Sequence, residues 1–235
     1  MRFSCRIFLF LCTLILFTTS CSSASRNESV QSSYEPVRSG TEMASPSAPV
    51  YPAHPLIILD AGHGGTDEGA RVKTFMEKRI TLTTTLLTKK RLEERGYKVI
   101  LTRARDNYIS LARRVSIANR TKCAAFVSIH FNASRSHTAK GVEIYFCDTS
   151  EKWRTRASRR LADCILYQVI DQTEAHSRGV KGGNFHVIRE TEMPAVLVEG
   201  GFVTNADERK LLRDKEYLSK IAEGIANGVD KYFKS

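Results

Sequence analysis

Leu56-Ile57-Ile58-Leu59-Asp60-Ala61-Gly62-His63-Gly64-Gly65 passes from an unbroken apolar run to an acid, a histidine and a cluster of glycines. Four aliphatic residues in a row, with no polar alternation, predict a strand buried on both faces, as in a parallel sheet. The glycines that follow predict a loop at the carboxyl end of that strand. Two later segments repeat the pattern. Ala124 to Ile129 runs into His130, and Ala195 to Val198, entered through Pro194, runs into Glu199. If the three strands are parallel, His63, His130 and Glu199 share one edge of the sheet, the edge at which open α/β sheets bind ligands.

Working outward from these segments, Glu77 to Arg95 is predicted as a helix with Ile80, Leu82, Leu86, Leu87 and Leu92 on its apolar face. Gly96 is its stop signal. Tyr97 to Leu101 and Gly141 to Phe146 are predicted strands, as is Phe185 to Ile188. Ser110 to Asn119 is a helix with Leu111, Val115 and Ala118 on one side. Trp153 to Ile170, Asp207 to Leu212 and Tyr217 to Tyr232 are further helices. This alternation predicts a single α/β domain over residues 55–235. Its mixed, mostly parallel sheet of about six strands is flanked by helices on both faces.

The residues before that domain have a different character. Arg2 and Arg6 precede the apolar run Ile7 to Phe17 and the small residues Thr18-Thr19-Ser20, so residues 1–20 are predicted to be a secretory signal. Cys21 directly follows, which predicts acylation of a bacterial lipoprotein. Thr18 stands where such signals usually carry Leu or Val, and ordinary signal cleavage is the alternative. Residues 21–54, rich in Ser, Pro, Ala and Glu, are predicted to be a disordered tether. The expected location is the periplasm, on a membrane anchor. The net charge is +11, and near +9 (11 minus 2) once Arg2 and Arg6 leave with the signal, which draws an exported protein to anionic wall polymers or lipid headgroups. Export and the scatter of the charge argue against nucleic acid. Cys123, Cys147 and Cys164 show no Cys-x-x-Cys spacing, which argues against a structural zinc site, and as an odd set they allow at most one internal disulfide.

Two imidazoles and one carboxylate form a catalytic zinc set with the fourth position left to water. Glu77, at the head of a helix, is favoured for the carboxylate because a ligand gains from rigid support. Asp67 and Glu68, in the glycine-rich stretch, remain alternatives. A buried Glu199 requires a partner or a function. Asn132, two residues past His130, is placed to orient a ligand or substrate, or else to form a turn. His186 is a further candidate near the site, with a sheet histidine as the competing reading. His54, His137 and His176 fall in the tether or in polar stretches. The chain has no Ser-x-x-Lys, no Gly-x-Ser-x-Gly, no Gly-x-Gly-x-x-Gly and no P-loop lysine, which argues against the corresponding nucleophile and nucleotide chemistries.

Taken together, Ile57 to Gly65, Glu77-Lys78, Leu101-Thr102-Arg103, Leu111-Ala112-Arg113-Arg114-Val115, Ala118-Asn119, Phe126 to Asn132, Gly141-Val142-Glu143 and Pro194 to Asn205 resemble the zinc-dependent N-acetylmuramoyl-L-alanine amidases, in order and over about residues 55–233. The resemblance implies one zinc ion per chain on His63, Glu77 and His130, with Glu199 as the catalytic carboxylate. It implies peptidoglycan, both stem peptide and glycan, as the substrate. Another zinc peptidase or deacetylase of the wall, or an inactive wall-binding relative, is the alternative. Two departures stand out. Small residues follow Glu199 where the family often carries a bulkier one. The segment from Phe146 to Phe185 is also short, with one predicted helix where some members insert an inhibitory one. An open site that needs no obligate activator is therefore expected.

Overall fold

The computed structural model describes residues 55–235. The predicted signal over 1–20, the candidate acylation site Cys21 and the tether over 21–54 lie outside the described residues. Among the described residues no helix is long and apolar enough to cross a membrane.

The strands are β1 (Leu56–Ala61), β2 (Arg71–Val72), β3 (Phe75–Met76), β4 (Lys98–Leu101), β5 (Ala125–Asn132), β6 (Val142–Phe146), β7 (Ser177–Gly182) and β8 (Ala195–Phe202). The helices are α1 (Glu77–Glu94), α2 (Leu111–Thr121), α3 (Lys152–Thr173), α4 (His186–Arg189), α5 (Ala206–Leu211) and α6 (Lys215–Lys234). Six strands form one sheet in the order β4-β1-β5-β8-β6-β7, and β2 with β3 makes a small separate hairpin. All neighbours in the large sheet are parallel except β6 and β8. The expected fold class is the observed one.

Side chains of a strand alternate between its faces, and both faces of this sheet are covered. Ile57, Leu59, Val127, Val196 and Val198 pack into one core with Leu161 and Ile165 of α3 and Ile221 and Ile225 of α6. Ile58, Phe126 and Leu197 point the other way, to Ala118 of α2 and to Val187 and Ile188 of α4. Gly96, just past α1, has φ 88, the left-handed stop its position predicts. The Ser110 hydroxyl caps α2 by accepting from the Arg113 amide, and Asn205 and Asp214 cap α5 and α6.

Three sequence expectations need correction. Phe185 to Ile188 is not a strand. His186–Arg189 form the short helix α4, and the sixth strand is β7, which starts at Ser177 and ends at Gly182, before the expected start. β7 reads Ser-Arg-Gly-Val-Lys-Gly, with one aliphatic residue, and lies at the sheet edge against β6 alone. Its ladder rather than an apolar run holds it, so periodicity does not reveal it. The buried face of α1 is also different: beside Ile80 and Leu92 it is made of Thr81, Thr84, Thr85 and Thr88, while Leu86 is exposed. Threonine can bury a methyl while its hydroxyl bonds within the helix, as Thr88 Oγ1 does to the Thr84 carbonyl at 2.9 Å. In α2, Arg114 rather than Leu111 faces inward.

Arg114 is buried because Asp60 is. Asp60 ends the apolar part of β1 at 1% exposure, and its Oδ1 accepts from Arg114 Nη1 at 2.6 Å and from Thr102 Oγ1 at 2.6 Å. Its Oδ2 accepts from Ser128 Oγ of β5 at 2.7 Å. Burial pushes the Asp60 carboxyl up, but Arg114 and the two hydroxyls outweigh it and hold the group below the usual carboxylate range. Removing one partner of such a pair leaves an uncompensated buried charge. Asp60→Ala should therefore lower the unfolding free energy by about 3–5 kcal/mol in urea denaturation. The folded carboxyl titrates below its ordinary value of 3.8. Its contribution is present above that pH and is lost as pH falls through the depressed folded value. The stability advantage of wild type over Asp60→Asn should accordingly shrink on acidification below pH 4.

Candidate active site

His63 follows β1 and Glu77 opens α1, while His130 and Glu199 lie in the carboxyl halves of β5 and β8, which continue to Asn132 and Phe202. His63 follows β1 in the left-handed region, at φ 61, a conformation that costs an L residue roughly 1–2 kcal/mol. Buried arginines hold it there. Arg114 donates to the carbonyls of Ala61 at 2.6 Å and His63 at 2.7 Å, and Arg103 donates to those of Ala61 at 3.0 Å and Gly62 at 2.7 Å. A side chain at Gly62 would lie 2.3 Å from Cε1 of His130, so the glycine lets that ring close over the loop.

Glu77 is the first residue of α1, where the helix dipole favours an acid. Its Oε1 lies 3.0 Å from His63 Nε2 and 3.0 Å from His130 Nδ1, and also accepts from the Phe131 amide at 3.1 Å. Its Oε2 accepts from the Ala70 amide at 2.8 Å. One carboxylate thus bridges two imidazoles whose rings meet edge to face at 4.8 Å. Burial alone would raise the Glu77 pKa, but the hydrogen bonds to His130 and His63 hold it far below the ordinary range. Burial lowers His63, and its bonds to Glu77 and Asp67 more than reverse that. Donor atoms of His63, Glu77 and His130 all lie within 4.8 Å of one another, a group able to hold a metal ion.

The alternatives to Glu77 fall elsewhere. Asp67 Oδ2 sits 2.9 Å from His63 Nδ1, the ring nitrogen turned away from Glu77. A carboxylate in that place fixes the tautomer and orientation of a ligating histidine. Glu68 pairs with Arg71 at 2.9 Å.

Glu199 of β8 is paired directly with His130 of β5 in the parallel register. Its Oε2 is buried and has no hydrogen-bond partner. Burial first, then the charges of Glu77 and Glu143, push its carboxyl well above the ordinary value. A carboxyl so tuned binds and releases protons nearer neutrality than a solvated one.

Sequence reasoning missed Glu143 as part of the site. It lies opposite Glu199 in the antiparallel pairing of β6 with β8 and is 3% exposed. Asn132 does not reach the imidazoles. Its Nδ2 donates to Glu143 Oε1 at 2.7 Å. The sequence signals for Glu143 were its place in the Gly141-Val142-Glu143 segment of the resemblance, which carried no role for it, and an acid between Val142 and Ile144 in an otherwise apolar strand. A cleft of about 150 Å³ opens beside His63 and His130, between Tyr108, Ile109 and Leu111 on one wall and Phe185, His186 and Val187 on the other. His186 therefore lines the cleft from α4. Helix α3, the one helix between β6 and β7, packs on α6 and the sheet.

The arrangement suits hydrolysis by a metal-activated water with a carboxyl as proton carrier. Comparison with known proteins agrees with it. The N-acetylmuramoyl-L-alanine amidase family profile, Amidase_3, matches residues 57–231. YqiI of Bacillus subtilis, a protein described as uncharacterized, is 37% identical over 177 residues, covering 75% of this chain and 84% of its own. The N-acetylmuramoyl-L-alanine amidase LytC of the same organism is 35% identical over 76% of this chain, which spans 35% of LytC. Among solved structures, the catalytic domain of the amidase CwlV from Paenibacillus polymyxa superposes with a TM-score of 0.72 at 37% identity, over 77% of this chain and 98% of that one. The CwlD amidase from Clostridioides difficile, solved in complex with the GerS lipoprotein, gives 0.72 at 32% identity, over 77% and 99%. With its fold, its site geometry and a match that spans the described domain, the chain belongs to the N-acetylmuramoyl-L-alanine amidase family.

Proposed function

We infer that the protein is a peptidoglycan hydrolase, an N-acetylmuramoyl-L-alanine amidase that cleaves the amide between the lactyl group of N-acetylmuramic acid and L-alanine of the stem peptide. We propose zinc as its cofactor, held by His63 through Nε2, by Glu77 and by His130 through Nδ1. The donor set supports this: two imidazole nitrogens and one carboxylate, with Asp67 behind His63, match a catalytic zinc site in number and kind. When bound, zinc supplies a Lewis acid that polarises the scissile carbonyl and makes water acidic near neutrality.

The observation that carries the mechanism is the buried, unpartnered Oε2 of Glu199 beside this trio. In the proposed reaction Glu199 accepts a proton from the attacking water. It then delivers that proton to the departing nitrogen of L-alanine as the C–N bond breaks. His63 and His130 stay in fixed orientations, His63 through Asp67 and the clamped loop, and Glu77 through the Phe131 and Ala70 amides. The cleft between Tyr108 and Phe185 offers an apolar-walled channel for the substrate.

Wall amidases work outside the membrane. We further propose that this one is a periplasmic lipoprotein acylated at Cys21, tethered by residues 21–54, and active without a protein activator. Fatty-acid labelling of the wild type and loss of label in Cys21→Ala would support the anchor; equal labelling of both would refute it.

Purified protein lacking residues 1–54 should release stem peptides with free L-alanine amino termini from peptidoglycan. Any other new terminus would point instead to a peptidase or deacetylase. Glu199→Gln should lower turnover by about 10²–10⁴-fold, the usual range for a lost general base, while still binding one zinc per chain by elemental analysis. His63→Ala should lose both activity and zinc. Chelation should abolish wild-type activity, and added zinc should restore it.

A further inference from the structure

Beyond Glu199 the row of side chains continues to the sheet edge. Glu143, though almost fully buried, is held by four side chains. Asn132 Nδ2 and Tyr145 Oη donate to its Oε1 at 2.7 Å each. Arg178 Nε donates to its Oε2 at 2.7 Å, and Lys181 Nζ donates to the same oxygen. Reading across β5, β8, β6 and β7, the row runs His130, Glu199, Glu143, then Arg178 and Lys181.

That last pairing is not what a regular strand gives. Residues three apart on a strand point to opposite faces, yet Arg178 and Lys181 meet on one oxygen. The register of β6 against β7 shifts between Val142 and Ile144, and Gly179 takes φ 86. The extra residue of a bulge re-aims the side chains after it. A Cβ at Gly179 would meet nothing within 4 Å, so the glycine serves the backbone conformation and not a need for space.

One buried carboxylate needs one cation, and two are present. Arg178 remains 32% exposed and Lys181 38%, so each keeps part of its surface open to solvent at the end of the row. Arg178 is steadied by the Phe202 ring, 4.9 Å below its guanidinium. The net result is a positive charge, fixed in place, two strands from Glu199. Two strand spacings amount to roughly 10 Å. In the stem peptide, glutamate follows L-alanine, and its carboxylate lies about two residues from the scissile amide, roughly 7 Å along an extended chain. The side chains of Arg178 and Lys181 cover the difference.

We propose that Arg178 and Lys181, brought together by the Gly179 bulge, form a carboxylate-recognising subsite that engages the glutamate of the stem peptide and holds the scissile amide against Glu199. This rests on the amidase reading. It makes the two residues specificity determinants, with Glu143 as the positioning residue that orders them.

The test uses two muramoyl tripeptides that differ only at that glutamate, one with a free carboxylate and one with a carboxamide. Wild type should favour the acid by about tenfold in kcat/KM, mainly through KM, as expected for a charge-assisted hydrogen bond. Arg178→Ala combined with Lys181→Ala should bring the ratio to about one, and Arg178→Lys with Lys181→Arg should restore part of it. Gly179→Ala, which keeps both cations but disturbs the bulge, should also erode the ratio. Calorimetric binding of the two free stem peptides to the wild type gives a readout independent of turnover and should show the same preference. Equal binding of acid and amide, or an unchanged ratio in the double variant, overturns the subsite. An equal loss on both substrates overturns it too, since that reduces the pair to structural support for Glu143. If the preference in binding is present but no L-alanine amino termini are released, the amidase reading fails and the subsite stands.

Discussion

A carboxylate removed from water must be compensated on all sides, and Asp60 is compensated by residues from three other elements. Arg114 comes from α2, Thr102 from the end of β4 and Ser128 from β5. The same Arg114 reaches past Asp60 to the carbonyls of Ala61 and His63. The pair therefore joins three neighbouring strand regions and also fixes the loop that presents His63. A left-handed backbone at a non-glycine residue persists only where its surroundings over-determine it, and two buried guanidinium groups on successive carbonyls do that here. Stability and site geometry rest on one ion pair.

The carboxyl edge then sorts three acids by their partners. Glu77 faces two imidazoles and two backbone amides and stays ionised. Glu143 faces two cations, and Lys181 and Arg178 hold it below its ordinary pKa against the burial that would raise it. Glu199 lies between them with no hydrogen bond at Oε2, and burial first, then both neighbouring charges, push its pKa up. Residues of one chemical type thus acquire two protonation behaviours: Glu77 and Glu143 are held ionised and Glu199 is pushed up, which suits the proposed roles of ligand, counter-ion and proton carrier. One antiparallel strand, β6, makes this possible, because it brings Glu143 alongside Glu199 in a sheet that is otherwise parallel.

Much of this was legible in the residues. The runs ending at Asp60, His130 and Glu199 predicted buried parallel strands with their polar ends together, and β1, β5 and β8 are adjacent with His130 and Glu199 in register. Helix ends were legible where a cap marks them, as at Gly96 and Ser110. β7 was not, because an edge strand with two glycines and one valine carries no apolar period. The threonine face of α1 was hidden for a related reason: hydropathy ranks leucine above threonine, and packing against the sheet chose otherwise. Glu143 was visible as part of the resemblance and as an acid in an apolar strand but without a role, since its cationic partners lie 35 and 38 residues further along the chain.

By itself the sequence determined the α/β class, the three central strands and the identity of the acids and imidazoles, because hydrophobic period and residue chemistry are local properties; β5 and β8 run on past His130 and Glu199 to Asn132 and Phe202. Which carboxylate meets the two imidazoles was decided only by the tertiary structure. Glu77, Asp67 and Glu68 all follow His63 within 14 residues, and only the folded path of loop, hairpin and α1 puts Glu77 between the rings, Asp67 behind one of them and Glu68 against Arg71. The same holds for Arg178 and Lys181, whose convergence depends on a bulge of the backbone, a long-range pairing that residue type does not encode.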